Sequence, residues 1–220
     1  VYDYLINEVQ LEANIRKREP FIRFLDVLSL SHGEMINFTN IARDCGVNKA
    51  TVKSYFEILE DMYIGYFLYP YTKRKNRQIV TQIPKFYLFD TGVANYLAKY
   101  TFNGFQGYDA GKAFEHYIFL ELKAYLGTTE TRDELFYYRD SEGNEVDFIL
   151  GNQAFEVKIR QHISSKDIKG LLLFGREYDA KLNVICNADK KRIETFGGQV
   201  VTIWPVQEFL EALWSKRVDQ

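Results

Sequence analysis

The stretch Glu145-Val146-Asp147-Phe148-Ile149-Leu150-Gly151-Asn152-Gln153-Ala154-Phe155-Glu156-Val157-Lys158 decides how this chain is read. Two apolar-rich runs flank Gly151-Asn152, a two-residue loop with glycine first, as a type II′ hairpin turn prefers. Strand side chains alternate faces, so Val146, Phe148 and Leu150 share one side while Glu145 and Asp147 share the other. On the second strand, Glu156 and Lys158 lie opposite Phe155 and Val157. The hairpin register pairs Leu150 with Gln153, Asp147 with Glu156, and Glu145 with Lys158. Two carboxylates facing each other across strands are destabilising, by up to roughly 1 kcal/mol relative to neutral pairs. The Lys158 ammonium offsets part of that, and a bound divalent cation would offset more. All-oxygen donors suit Mg²⁺ or Mn²⁺, which keep several waters and leave room for a phosphate oxygen.

Glu115 stands on a helix expected over Ala113–Leu126. It shares a face with Ile118, Phe119, Leu122 and Leu126, and a carboxylate heading an apolar stripe points toward the sheet. The plain alternatives are an exposed edge position for Glu115 and a solvated salt-bridge ladder for the hairpin. Taken together, these residues resemble the PD-(D/E)xK phosphodiesterase core, which is restriction-endonuclease-like. The match is Asp147 and Glu156-Val157-Lys158 with Glu115 upstream, and Val146 stands where the naming proline would be. The resemblance implies Asp147 and Glu156 as metal ligands, Glu115 in an accessory metal role, and Lys158 as the group that activates water. A metal there would polarise a phosphoryl oxygen and lower the pKa of bound water. The same resemblance admits a nuclease fold kept for docking without cleavage.

Around that hairpin, strands are expected at Phe136–Arg139, Glu145–Leu150, Phe155–Ile159 and Leu182–Cys186. Ser165 is read as capping a helix to about Arg176, and Pro205–Lys216 as the closing helix. The glycines from Gly104 to Gly111 suggest a joint, dividing the chain into residues 1–103 and 104–220. The first part has helices on either side of the break at Pro20, then a helix-turn-helix. There Thr39 is expected to cap a short helix through Asp44, Gly46 to make the turn, and Asn48 to cap a second helix to about Asp61. Strands at Tyr63–Pro70 and Lys85–Phe89 flank the basic run Lys73-Arg74-Lys75-Asn76-Arg77, the outline of a winged helix. Read as a DNA-binding element, it turns Lys49, Thr51, Lys53 and Ser54 to the groove and sets Lys73, Arg74, Lys75 and Arg77 on backbone phosphates. Read otherwise, it is a packing and dimerisation module with a solvated basic loop, and a homo-oligomer follows.

The whole chain is similar to the C-terminal region of a prokaryotic family of AAA-type ATPases. In that family a winged-helix segment and a restriction-endonuclease-like domain of unknown function follow the ATP-binding module. The matching residues are Val47 to Tyr55, Leu59-Glu60-Asp61-Met62-Tyr63-Ile64, Lys85 to Gly92, Gly111-Lys112-Ala113-Phe114-Glu115 and Glu145 to Phe148. The fold implied is α/β (α+β): a winged-helix domain, then a mixed sheet flanked by helices. The partners implied are DNA and the upstream ATPase module. The phosphate loop Gly-x-x-x-x-Gly-Lys-Ser/Thr is absent from the chain. ATP binding by these residues is therefore not expected, and the chain, which opens at Val1, reads as a fragment of something longer.

Composition bounds these readings. The chain has 220 residues, 46% hydrophobic and 26% charged, as an ordinary globular protein has. The first 103 residues hold 13 Lys and Arg against 11 Asp and Glu, and the remainder 15 against 19, within a total net charge of −2. That asymmetry permits nucleic-acid contact by the first part without demanding it. No apolar run approaches the ~18 residues that span a bilayer. Cys45 and Cys186 lack the spacing of a disulfide framework or zinc knuckle, which points to a reducing, cytoplasmic setting. The 16 Tyr and 17 Phe are expected mostly in strands and small cores. His32, His116 and His162 are scattered, read as surface residues or as neighbours of the site, and not as ligands.

Overall fold

A computed structural model describes residues 9, 18–72, 83–100, 104–129 and 131–215. The chain is mixed α/β and divides into two compact units, residues 1–68 with 81–101 and residues 69–80 with 102–220.

In the first unit, α1 spans Arg18–Ser31, with Pro20 in the first turn, where a missing N–H costs no helical hydrogen bond. Helices α2 (Phe38–Cys45) and α3 (Lys49–Asp61) follow. Asn37, not Thr39, caps α2, accepting the Asn40 N–H, because the helix already begins at Phe38. Gly46 takes a left-handed φ of 68° and ends α2, while Arg23 of α1 donates to the Cys45 carbonyl. Asn48 caps α3, as expected, by accepting the Thr51 N–H at 2.8 Å.

Strand β1 (Gly65–Pro70) runs antiparallel to β2 (Lys85–Leu88), pairing Gly65 with Leu88 and Phe67 with Phe86. Gly65 is needed there, because a Cβ would collide with the Phe86 ring. Helix α4 (Thr91–Ala98) is capped by Asp90. The core is aromatic: Phe56 meets Phe24 and Phe86 edge to face, each at 5.0 Å between centroids. His32 is buried in it, contrary to a surface placement, and its Nδ1 accepts the Leu88 N–H.

The second unit starts with Tyr69 and Pro70 of β1, which lie parallel to Phe136 and Tyr137 of β3 (Leu135–Arg139). Helix α5 covers Tyr108–Thr128 and begins earlier than sequence periodicity suggests, so Gly111 is helical and not part of a joint. The sheet continues through β4 (Glu145–Leu150), β5 (Gln153–Lys158), β6 (Lys181–Cys186), β8 (Gln199–Pro205) and β7 (Arg192–Phe196), in that spatial order. Strands β3, β4 and β5 are antiparallel neighbours; β5, β6 and β8 are parallel; β7 returns antiparallel on β8.

Strands β7 and β8 are absent from the sequence reading; β7 exposes alternate residues without an apolar run, and Gly197-Gly198 makes the two-residue turn into β8. Helix α6 (Lys169–Glu177) starts after Ile168 rather than at Ser165. Helix α7 (Val206–Trp214) closes the described chain. One sheet face packs on α6 through Ile149, Ala154, Leu171 and Phe174. The other carries α5 and α7, with Phe148 against Phe119 and Phe155 against Phe209. Gly170 lets α6 touch the β4 backbone, since a Cβ there would collide with the Glu145 carbonyl oxygen.

Candidate active site

The two-residue hairpin at Gly151-Asn152 sets the register of β4 on β5. Leu150 pairs with Gln153, Ile149 with Ala154 and Phe148 with Phe155. On its other edge β4 is irregular. Phe136 pairs with Ile149 but Tyr138 pairs with Val146, so two steps along β3 face three along β4. Asp147 and Phe148 thus both stand against Tyr137, a β-bulge, and bulges re-aim side chains beside functional sites. The bulge corrects strict alternation: Val146 joins Ile149 in the α6-side core, while Phe148 stacks toward α5.

Asp147 lies in this bulge, and the ladder between β4 and β5 ends just before it. Its carboxylate Oδ2 accepts the backbone N–H of Val157 at 2.8 Å. A side chain thereby takes over where backbone pairing stops. Glu145 does not meet Lys158, as plain alternation would have it; its partner is Arg139, directly opposite on β3, at 2.6 Å. Lys158 instead closes on Glu156, Nζ to Oε1, at 2.5 Å. Glu115 on α5 has Lys112 one turn earlier, at 3.9 Å.

Asp147 and Glu156 are buried, at 8% and 6% exposure, and the Glu156 Oε2 has no hydrogen-bond partner. Burial pushes the Glu156 carboxyl well above its usual range, and the Asp147 and Glu115 charges push the same way against Lys158. Burial works against the Lys158 ammonium, but Asp147, Glu156 and Glu115 outweigh it and hold that group above the ordinary lysine range. Three carboxylates and two ammonium groups therefore share one electrostatic neighbourhood.

A buried carboxylate oxygen without a donor is costly, and an oxygen-only donor set fits a hard divalent cation. Mg²⁺ needs only one or two carboxylates besides its waters. Asp147 and Glu156 meet that requirement. Among the described residues no group of three His, Cys, Asp or Glu side chains is assembled to hold a metal, so Glu115 does not complete a ready-made cage. Glu115 is instead ion-paired with Lys112, a residue the sequence reading left without a role. The i,i+3 spacing of Lys112 and Glu115 was the signal that could have found it.

After β5, Asp167 accepts both the N–H and the hydroxyl of Ser164, and its carboxyl is held below the usual range chiefly by that hydroxyl. Arg160 also pairs with Asp167, so the loop beside Lys158 is organised by its own hydrogen bonds. His116, next to Glu115, is buried at 1% exposure and is not a surface residue. Cavities of about 470 and about 480 Å³ lie at the opposite end of β5, around Gln153. Neither is lined by Asp147, Glu156 or Lys158.

In the first unit, Lys49, Lys53 and Ser54 are exposed on α3, opposite the buried Val52, Tyr55, Phe56 and Leu59. Lys53 lies 5.6 Å from the Phe38 ring centroid. Thr51 is half-buried, and its hydroxyl donates to the Asn48 side chain that caps the helix. Lys73, Arg74, Lys75 and Arg77 fall outside the described residues.

Cys45 and Cys186 are both free and buried. No helix among the described residues is long and apolar enough to cross a membrane. Residues 1–103 match the family model of a domain of unknown function (DUF8612), and residues 110–209 match that of a second domain of unknown function (DUF4143). No curated protein and no solved structure matches the chain.

Proposed function

We propose that the second unit is a restriction-endonuclease-like module that acts on phosphodiester bonds with Mg²⁺ or Mn²⁺. The first unit is then a winged helix that docks on DNA, and both belong to the C-terminal part of a AAA-type ATPase whose ATP-binding module lies upstream. The observation that carries this reading is the meeting of Asp147, Glu156 and Lys158 where the β4–β5 ladder ends, with one buried Glu156 oxygen left without a donor. The metal would be held by Asp147 and Glu156, and when bound it polarises a phosphoryl oxygen and lowers the pKa of bound water.

This chain's own residues do the rest. The Val157 N–H fixes the Asp147 carboxylate, and the bulge aims it. Lys158 supplies a charged donor for the attacking water or a phosphate oxygen. Glu115, beside Lys112, adjusts the local charge from the neighbouring helix. Burial removes competing water, so each of these charges acts in a low effective dielectric. The helices α1, α2 and α3 followed by the β1–β2 hairpin support the winged-helix reading, with Lys49, Lys53 and Ser54 presented outward.

The test is Mg²⁺-dependent cleavage of plasmid and linear DNA by the wild type and by Lys158→Ala. Loss of about 100-fold or more in rate is expected in the variant, the scale of a lost proton-transfer or positioning group. Equal cleavage by the two proteins would sink the assignment.

One observation favours a second reading, a docking module that keeps the fold without cleaving. Lys158 already occupies Glu156 at 2.5 Å, and no three-donor cage exists among the described residues. DNA binding without cleavage, in a protein whose melting temperature ignores Mn²⁺, would mark that case.

A further inference from the structure

We infer that β7 is a dimerisation edge, on which a second copy of this chain lays its own β7 antiparallel, with Ile193 opposite the partner's Ile193. The surface belongs to the second unit and owes nothing to the metal reading of Asp147 and Glu156. The sheet order ends at β7, which pairs with β8 in unbroken register from Arg192 to Phe196. Among the described residues no strand lies on the outer side of β7. Strand β2, the other terminal strand, is already met by Met35, which bridges to Lys85.

The turn into β8 fixes which backbone groups face out. Gly197 and Gly198 both take positive φ, 57° and 84°, as a two-residue type I′ turn requires. Phe196 and Gln199 close that turn as a hydrogen-bonded pair. Antiparallel pairs alternate, so Glu194 and Arg192 also bond to β8, while Ile193 and Thr195 turn their N–H and C=O groups outward. Proteins keep such edges from pairing with prolines, bulges or a covering element. Strand β7 has no proline and no bulge, and its outer side is uncovered by any described strand.

The side chains of β7 choose the partner and the register. Ile193 is 67% exposed, and Val200, which pairs with Thr195 on the same face, is 62% exposed. Arg192 and Glu194 share the other face. Antiparallel pairing about Ile193 sets Arg192 opposite the partner's Glu194 and Glu194 opposite the partner's Arg192. It also lays the two exposed Ile193 side chains against each other. Pairing centred on Arg192 or on Glu194 would set like charges directly opposite, which is destabilising. Within the chain, Arg192 Nε donates to Glu194 Oε1, and Nη2 donates to the Gln161 carbonyl at 3.4 Å. Both bonds survive in the dimer, because a guanidinium has five donors and a carboxylate has a second oxygen. The four charges then alternate around the dyad, each flanked by opposite charge along its strand and across it. The ladder stops at Lys191, whose N–H is held by the Glu208 carboxylate. So short an edge makes a reversible dimer, since stable interfaces bury about 1,200–2,000 Å².

The experiment is sedimentation velocity on the whole chain, over a concentration series reaching about 300 µM. The wild type is expected to pass reversibly from monomer to dimer. Arg192→Glu and Glu194→Arg each set like charges against one another and are expected to weaken association about tenfold or more. An equimolar mixture of the two variants is expected to regain the wild-type dimer, because each chain then meets its complement. Oxidative crosslinking reads the register separately. Ile193→Cys places its Cα about 5.5 Å from its counterpart, within disulfide reach. Thr195→Cys stands four residues away from its counterpart and is not expected to link. Cys45 and Cys186 are buried and do not compete. A wild type that stays monomeric throughout overturns the proposal. So does a dimer that ignores both charge reversals, a mixture no better than its components, or Thr195→Cys crosslinking as fast as Ile193→Cys.

Discussion

The carboxylate of Asp147 accepts the backbone N–H of Val157 at 2.8 Å, ten residues on and across the hairpin. An acidic side chain on β4 thus performs a structural task in the ladder while lying beside Glu156. The two tasks can be separated by substitution, because one needs an acceptor oxygen and the other needs a charge.

Asp147→Asn keeps an oxygen that can accept from Val157, and Asp147→Ala does not. Leaving a buried N–H without its partner costs about 1–3 kcal/mol. Asp147→Ala should therefore melt lower than the wild type, by roughly 2–4 °C per kcal/mol in a chain of this size. Asp147→Asn should stay closer to the wild type while losing metal affinity as fully as Asp147→Ala. Thermal melts in chelator, paired with Mn²⁺ titrations, check both halves; equal melting of the two variants would remove the structural role.

Gly170 and Gly127 make opposite predictions for the same substitution. A methyl group at Gly170 collides with the Glu145 carbonyl oxygen, and neither the helix nor the strand can give way cheaply. Gly170→Ala is expected to destabilise by about 1–3 kcal/mol, as overpacked cores do. Gly127, exposed near the end of α5, meets nothing, so Gly127→Ala should stabilise by about 0.5–1 kcal/mol. Urea denaturation midpoints compare the two directly. Similar shifts in both would mean that α6 does not rest on β4 through Gly170.

The Cys45 thiol supplies a pH-dependence with a definite sign. Burial pushes it from the usual 9.0 up to about 11, and the Asp44 charge adds to this against Arg23. A folded-state value above the unfolded one means that the contribution is fully present below pH 9.0 and is lost as pH rises through about 11. Chemical denaturation at alkaline pH should show a shallower fall in Cys45→Ala than in the wild type. Parallel slopes would place the thiol's influence elsewhere.

The exposed lysines of α3 are tested by salt. If Lys49 and Lys53 turn to the groove of bound DNA, between its two phosphate backbones, Lys49→Gln and Lys53→Gln should each weaken DNA binding. Each should also reduce the slope of log K against log salt by about 1. Unchanged slopes in both variants would assign this surface to something other than DNA.

The hairpin was legible in the sequence because Gly151-Asn152 permits few turn geometries, and that turn alone fixes Leu150 opposite Gln153. Asn48, Gly46 and the extent of α3 were legible for a similar reason: caps and left-handed residues are local chemistry. Asn37 was missed because Thr39 is also a good cap, and only the packing of α2 chooses between them. Strand β7 was missed because an edge strand that exposes Ile193 carries no continuous apolar signal, whereas the run Val200-Val201-Thr202-Ile203-Trp204 was a signal that could have found β8. Pairing with β8 is what makes the β7 residues a strand.

What the sequence by itself determined is therefore the short-range framework: the turn, the caps, and the register of Phe148, Ile149 and Leu150 on the strand that follows. Each depends on φ and ψ preferences or hydrogen bonds within a few residues, and the chain carries those wherever it goes. The tertiary structure alone decided how the site is wired. The bulge on β4 exists only against β3, the partner of Glu145 is Arg139 across that same edge, and Glu115 reaches the cluster through the packing of α5. Lys158 had two acids within reach by sequence, Glu145 and Glu156. Long-range pairing took the first away and left it with the second, because a salt bridge forms with whichever charge the fold leaves nearest in a buried place.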